Sequence, residues 1–252
     1  MAHGTTCATE FLPNPVVWSK KQVATAKQTV KVSACDLFSG LSPSECDEIL
    51  SCARARTFAR DEMLFFQGQP VKTLVLIQSG SVKLSQISSA GHEAILWVYG
   101  SGATVGVHAE TTACNHTCSA QAIEHCKSLV WEYGRLLMLG TQYPQITANL
   151  QKILTNRLHE LERRFREIAT EKAEKRLALT LLRLLDCVGK VSRDGLRVVV
   201  SREELAQMTG VTIFTVSRTL SRWAELGLLI PRREAIVVPD LHNLKLVIER
   251  DL

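Results

Sequence analysis

Six thiol and imidazole side chains fall within 19 residues of each other: His108, Cys114, His116, Cys118, His125 and Cys126. Cys114, His116 and Cys118 alternate, so an extended chain would carry all three on one side. Thiolate and imidazole together suit zinc or an axial position on haem iron. None of the six forms a pair with the two-residue gap common in zinc sites. A loop beside small buried cysteines would use the same residues. The six are therefore the candidate effector or metal site, with haem, zinc or no cofactor left open.

A second set points to DNA. Ser201-Arg202-Glu203-Glu204 reads as a capping box, in which Ser201 caps a helix and Glu204 reaches back. Leu205, Ala206 and Met208 continue that helix, Gly210 allows a tight turn, and Thr212 can cap a second helix that Gly227 ends. Ala206 lets the two helices cross closely, while Val216, with Leu220 and Trp223, anchors the second helix. Its opposite face carries Phe214, Ser217, Arg218 and Ser221 at helical spacing, free to enter a major groove. Thr212, Ile213 and Arg222 complete the candidate contacts on this helix. Two apolar runs, Leu228-Leu229-Ile230 and Ala235-Ile236-Val237-Val238, flank a polar turn and predict a wing-like β-hairpin. Arg232 and Arg233 at its tip would meet phosphates. A generic helical domain with a chance spacing is the plainer alternative.

These groups need elements to hold them. Residues 1–34 have little periodicity and read as a flexible tail. A short helix is predicted over 43–53, started by Ser42-Pro43-Ser44-Glu45. Residues 57–133 read as β structure: Gly68, Gly80, Gly91 and Gly100 punctuate apolar runs such as Leu74-Val75-Leu76-Ile77 and Ala94-Ile95-Leu96-Trp97-Val98. That pattern suits a sandwich or jelly roll. After Pro144 the period becomes helical, with Ile146, Leu150, Leu154, Leu158, Leu161, Phe165 and Ile168 forming a narrow apolar seam. Lys152, Arg157, Glu160, Glu162, Arg163, Arg164, Arg166 and Glu167 read as its charged outside. Such a seam suits a partner helix and so a homodimer, with Leu150, Leu154, Leu158, Leu161, Phe165 and Ile168 as the contact; a helix packed on its own domain is the alternative. A further helix over 174–188 turns Leu177, Leu181, Leu184 and Leu185 inward and stops at Gly189. The break at 169–173 is a candidate hinge. The chain is thus expected to be α+β: a tail (1–34), a sandwich or jelly-roll domain (35–143) that the family resemblance given below makes an effector-sensing β-roll, a dimerisation helix (144–173) and a winged-helix DNA-binding domain (174–252).

Composition sets limits on partners. The 252 residues are 46% hydrophobic and carry a net charge of +5, enough for an ordinary core and mildly basic. From Glu174 onward 13 Lys and Arg oppose 10 Asp and Glu, so a phosphate-binding surface must come from placement rather than bulk charge. The sequence has no run long enough to span a membrane and no signal-peptide core. A cytoplasmic protein with reduced cysteines is expected. No nucleophile–base set, phosphate loop or carboxylate pair appears in the β region, so an enzyme is not expected.

The layout from about residue 35 to 240 resembles the CRP/FNR family of transcription regulators. The stretches carrying it are Leu74-Val75-Leu76-Ile77-Gln78-Ser79-Gly80-Ser81-Val82-Lys83 and Thr215-Val216-Ser217-Arg218. The resemblance implies a cyclic-nucleotide-binding-like β-roll (jelly-roll), a long dimer helix and a winged helix-turn-helix that binds double-stranded DNA, with RNA polymerase as a further partner. It places Arg218 where the family contacts guanine or phosphate. Phe214 stands where the family commonly has Glu. Relatives that bind cyclic AMP carry Gly-Glu-Leu and Arg-Ser; the matching stretches here read Gly106-Val107-His108 and Thr117-Cys118-Ser119-Ala120, so tight cyclic AMP binding is not expected. The family's iron–sulfur solution needs closely spaced N-terminal cysteines, and Cys7, Cys35, Cys46 and Cys52 lack that spacing. A regulatory subunit acting through a protein partner is the competing function.

Overall fold

The computed structural model describes residues 35–107 and 114–249. The tail (1–34) and His108 lie outside them.

A 3-10 turn at Asp36–Phe38 leads to α1 (Pro43–Ser51), which starts as its sequence dictates. Ser42 Oγ accepts from the Glu45 amide, the Glu45 carboxylate accepts from the Ser42 amide, and Pro43 opens the first turn. The roll follows: β1 (Arg54–Phe58), β2 (Met63–Phe65), β3 (Thr73–Ser79), β4 (Val82–Ile87), β5 (Glu93–Tyr99), β6 (Thr104–Val105), β7 (Ser119–Ala122) and β8 (Cys126–Glu132). They form two four-stranded sheets, ordered β1-β8-β3-β6 and β2-β7-β4-β5, with antiparallel pairing throughout. Phe58, Val75, Ile77, Val82, Leu84, Val105 and Cys126 fill the space between them. Gly80 shows why a glycine separates β3 from β4. Its φ is +91°, and a Cβ there would stand 2.6 Å from both Cys126 Sγ and the His125 carbonyl oxygen.

A helix that the sequence did not announce, α2 (Tyr133–Gln142), leaves β8 directly. Then α3 (Pro144–Thr170) runs for 27 residues. Its first half is tied to the N-terminal turn, where the buried Asn149 amide donates to the carbonyls of Leu37 and Ser39, each at 2.8 Å. Ile146 and Ile153 enter a second core with Phe38, Ile49 and Trp131. Trp131 is fully buried and its indole N–H is satisfied by the Ile49 carbonyl at 2.9 Å.

Below α3 come α4 (Ala173–Val188), the hairpin β9 (Lys190–Ser192) and β10 (Gly195–Val199), α5 (Arg202–Thr209), α6 (Ile213–Glu225), the hairpin β11 (Ile230–Arg232) and β12 (Ala235–Val238), and α7 (Leu241–Glu249). The sheet order is β11-β12-β10-β9. Leu177, Leu181, Val198, Leu205, Val216, Leu220 and Trp223 make the third core, and Ile95 of the roll is buried in it too. The two halves therefore share apolar contact. At Gly100 the approach is close: an added Cβ would lie 2.5 Å from the Cys187 carbonyl oxygen at the end of α4. Ion pairs flank this contact, Arg60 to Glu234 at 3.4 Å and Lys190 to Glu124 at 2.5 Å. Among the described residues no helix is long and apolar enough to cross a membrane.

Candidate nucleic-acid interface

Helices α5 and α6 are set by local signals. Ser201 Oγ accepts from the Glu204 amide at 3.1 Å, and the Glu204 carboxylate accepts from the Ser201 amide at 2.8 Å. The chain turns at Gly210, whose left-handed φ of +63° an L side chain adopts only with strain. Thr212 then accepts from the Thr215 amide at 3.2 Å and starts α6. One face of α6 is sealed: Val216, Leu220 and Trp223 are buried against α5 and the hairpins.

The other face is open. Thr212, Ile213, Phe214, Arg218 and Ser221 are exposed and Ser217 half-buried. Phe214 is 83% exposed, unusual for a ring that contacts nothing. Among the described residues Arg218 forms no ion pair, so its guanidinium is free for a ligand. Arg222 shares the helix but is committed elsewhere. It pairs with Glu174, which also accepts the Trp223 indole N–H at 2.7 Å. Burial alone would raise the Glu174 carboxyl, but the bonds from Arg222 and Trp223 hold it below the usual carboxylate range. Arg222 thus ties α6 to the start of α4 instead of joining the open face. At the wing, Arg232 reaches Asp194 at 3.2 Å while Arg233 is exposed in the turn and carries no ion pair among the described residues.

The described members of the thiol and imidazole set, which exclude His108, do not assemble. Among the described residues no three Cys, His, Asp or Glu side chains stand where they could hold a metal ion. The His116 ring is buried and stacks on Phe65, with centroids 3.7 Å apart. Cys118 packs toward the roll core, and Cys126 is wholly buried there, its thiol donating to the Ser81 carbonyl at 3.2 Å. His125, in the turn just before β8, is exposed. Cys114 lies half-buried beside the bridge between Pro70 and Asn115. Burial raises the thiols of both Cys118 and Cys126, which disfavours the thiolate a metal needs.

The seam of α3 is also divided. Leu150 and Leu154 pack partly on the N-terminal core. Leu158, Leu161, Phe165 and Ile168 stand exposed in the single chain. The residues read as a charged outside include a second stripe that faces the body: Arg157, Glu160 and Arg164 are half-buried and Glu167 is buried. Arg183 of α4 grips Glu167 with both oxygens at 2.8 Å. This inner stripe, spaced four, three and four from Ile153 and then three to Glu167, was detectable as a second helical period, but long charged side chains hide it.

Comparison with known proteins agrees with this geometry. The cyclic nucleotide-binding domain family matches residues 55–143 and the Crp-like helix-turn-helix domain family matches residues 175–247. The chain is 32% identical over 213 residues to the cyclic AMP receptor protein of Thermus thermophilus, covering 81% of this chain and 95% of that one. The chain belongs to the CRP/FNR family of transcription regulators. It is also 27% identical over 196 residues to the transcriptional activator protein anr of Pseudomonas aeruginosa, 77% of this chain and 79% of that protein. The solved structure of FixK2 from Bradyrhizobium japonicum shares the fold, with a TM-score of 0.68 at 21% identity over 77% of this chain and 96% of that one. A CRP/FNR regulator couples a sensing roll to a DNA-binding helix-turn-helix, and this chain has both; a regulatory subunit acting only through a protein partner is not favoured.

Proposed function

We propose that this CRP/FNR protein binds operator DNA as a homodimer, with α6 in the major groove, and that a ligand at the roll gates the binding. The observation that carries the reading is the split of α6 into a sealed face and an open polar face bearing Phe214, Ser217, Arg218 and Ser221. Thr212 and Ile213 sit at the end of the helix that enters first. Arg232 and Arg233 follow the backbone, and the α3 seam holds the two reading heads about one DNA turn apart. The shared core at Ile95 and the contact at Gly100 supply a route by which the roll repositions the DNA-binding half. RNA polymerase is the further partner that such a regulator implies, and the cytoplasm its place of work.

The roll is not built for cyclic AMP, although the Thermus relative is named for it. In place of the charged anchors stand Val107 and Cys118, and the neighbouring Ser119 hydroxyl already accepts from the Gln67 amide at 2.9 Å. Without an arginine the cyclic phosphate loses a charge-assisted bidentate contact. Isothermal titration is expected to show no binding at micromolar concentrations; micromolar affinity would overturn this.

Selection of bound DNA from a random pool tests the DNA reading, and Phe214 supplies an internal check. A phenyl ring cannot accept from the cytosine amino group, but it can pack on the thymine methyl. The selected half-site is expected to prefer T·A at the pair facing Phe214. Phe214→Glu should move that one pair toward C·G by about 1 kcal/mol and leave the others unchanged. No enrichment of any sequence would sink the function; an unchanged logo in the variant would mean the ring never reaches the bases.

A further inference from the structure

The winged sheet is tied to the roll at two points, and the charges at those points are crossed. At the turn between β11 and β12, Glu234 gives its carboxylate to Arg60, in the turn between β1 and β2, at 3.4 Å. At the β9 edge, Lys190 reaches Glu124, in the turn between β7 and β8, at 2.5 Å. The roll thus offers a cation to the wing turn and an anion to β9. With the partners exchanged both contacts would repel, so the pattern accepts one orientation of the sheet. The two turns of the roll form one platform. The Asp61 amide donates to the Ala122 carbonyl at 2.8 Å, the Ala122 amide to the Glu62 carbonyl at 2.9 Å, and the Gln121 side-chain amide to the Asp61 carbonyl at 3.0 Å. Glu124 is fixed by the Ser81 hydroxyl at 2.7 Å as well as by Lys190. Burial alone would raise its carboxyl, but these bonds hold it below the usual carboxylate range.

The backbone singles out the contact at the wing. Among the described residues Asp61 and Glu234 are the two non-glycine residues with left-handed φ, at +68° and +53°. That region is uncommon for glutamate, and such strain persists only where the surroundings hold it. Both carboxylates fall on Arg60, Asp61 at 3.6 Å and Glu234 at 3.4 Å. The other charges here are engaged: Lys83 pairs with Glu93 at 3.6 Å, Arg56 with Glu62 at 3.4 Å, and Glu204 accepts from the Ser201 amide. Glu203 lines the same gap between roll and wing and is exposed. Arg60 is therefore the cation that offsets Asp61, Glu203 and Glu234 beside the wing. Glu234 directly follows Arg232 and Arg233, where a bare carboxylate would repel the phosphates assigned to those arginines. In this docked arrangement the reading face stays open, with Phe214 and Arg218 both exposed. The tie therefore belongs to a state able to take DNA.

We propose that Arg60 is a positioning residue for DNA binding, which acts from the roll through Glu234 by fixing the wing and taking a negative charge out of the phosphate path. The tie itself stands on the contacts just described; its consequence at DNA rests on the DNA-binding function proposed above. Because Arg60 acts through Glu234, the two side chains are energetically coupled: each matters to DNA only while the other is present.

The test is a double-mutant cycle in the full-length protein. It is read as affinity for a selected operator and, without DNA, as hydrogen–deuterium exchange of residues 230–238. An exposed ion pair adds little to stability, so melting temperatures should stay close to the parent's. Arg60→Gln is expected to weaken operator binding about tenfold, roughly threefold for each half of the dimer. It should also speed exchange in 230–238 about threefold while 216–223 stays protected. Arg60→Lys, which keeps the charge, should bind within about threefold of the parent. In the Glu234→Gln background, Arg60→Gln should cost less than about twofold, since its target is gone. An equal loss with and without Glu234→Gln would mean that Arg60 meets phosphate itself, and overturns the proposal. Parental affinity in Arg60→Gln, or unchanged exchange in 230–238, overturns it too. Should the selection recover no operator, the DNA-binding function fails and takes the inference with it, and the exchange alone reports the tie. An operator that is recovered but shows no coupling overturns the inference alone.

Discussion

Phe165→Glu and Leu161→Glu are each expected to convert the protein to monomers and abolish operator binding. The four side chains Leu158, Leu161, Phe165 and Ile168 are spaced three, four and three, which puts them on one stripe of α3. They are 55%, 45%, 73% and 51% exposed in the single chain. The opposite stripe is engaged with the roll and with α4 through Arg157, Arg164 and Glu167, so the exposed one is left for a second copy. In a two-fold dimer every substitution acts twice. Losing the burial of one large apolar side chain forfeits about 2 kcal/mol per copy, and the introduced carboxylate must either stay solvated or be buried unpaired. About 4 kcal/mol is roughly a thousandfold in the dimer dissociation constant. Both positions face solvent in the chain alone, so circular dichroism should be unchanged while sedimentation at micromolar protein shows the monomer. An intact dimer in both variants would remove α3 as the contact surface.

What the sequence exposed and what it hid follow from the kind of signal each element carries. α1 and α5 have capping boxes, and both reciprocal hydrogen bonds form in each. α6 has a glycine turn before it and a threonine cap, and its apolar stripe is regular. β3 and β8 are apolar runs between turns. α2 was missed because its sequence, Tyr-Gly-Arg-Leu-Leu-Met-Leu-Gly-Thr-Gln, holds two glycines and follows Glu132, which gives no side-chain cap. β1 is exposed at every residue but Phe58, and β7 is Ser-Ala-Gln-Ala, so neither shows apolar alternation. The described members of the metal set lie apart for a geometric reason. Alternation places side chains on one side only within one straight strand, and Cys114 and His116 precede β7 rather than belong to it. Arg157 and Arg164 were misread for a chemical one: a helix surface arginine and one whose guanidinium lies over an aromatic ring are identical in sequence. Only the fold, by bringing Trp97 and Tyr99 beside α3, tells them apart.

Arg218→Ala is expected to lower affinity for the selected operator by about 1–3 kcal/mol per half-site and to relax specificity at one base pair in each. Arg218 lies one turn after Phe214 on the open face of α6 and is exposed. Removing it should leave stability unchanged, because the anchors of α6 are Val216, Leu220 and Trp223 on the sealed face. A guanidinium there can address O6 and N7 of guanine together, which distinguishes one base pair from the other three. Over two half-sites the loss is about 2–6 kcal/mol, from some thirtyfold to above ten-thousandfold. Arg233→Ala provides the contrast. Its side chain is unpaired in the wing turn, so it suits a phosphate; its loss should weaken all sequences alike and reduce the salt slope by about one per contact. Arg232→Ala should show a smaller change of slope, since Asp194 at 3.2 Å already offsets that charge. Arg222→Ala should act differently again, lowering the melting temperature by leaving Glu174 to the Trp223 indole alone, with the logo unaltered. Affinities measured against salt for the operator and for a scrambled duplex separate these outcomes. If Arg218→Ala and Arg233→Ala lose equally on both duplexes with the same slope change, Arg218 contacts the backbone, and reading of sequence falls to Phe214 and its serine neighbours.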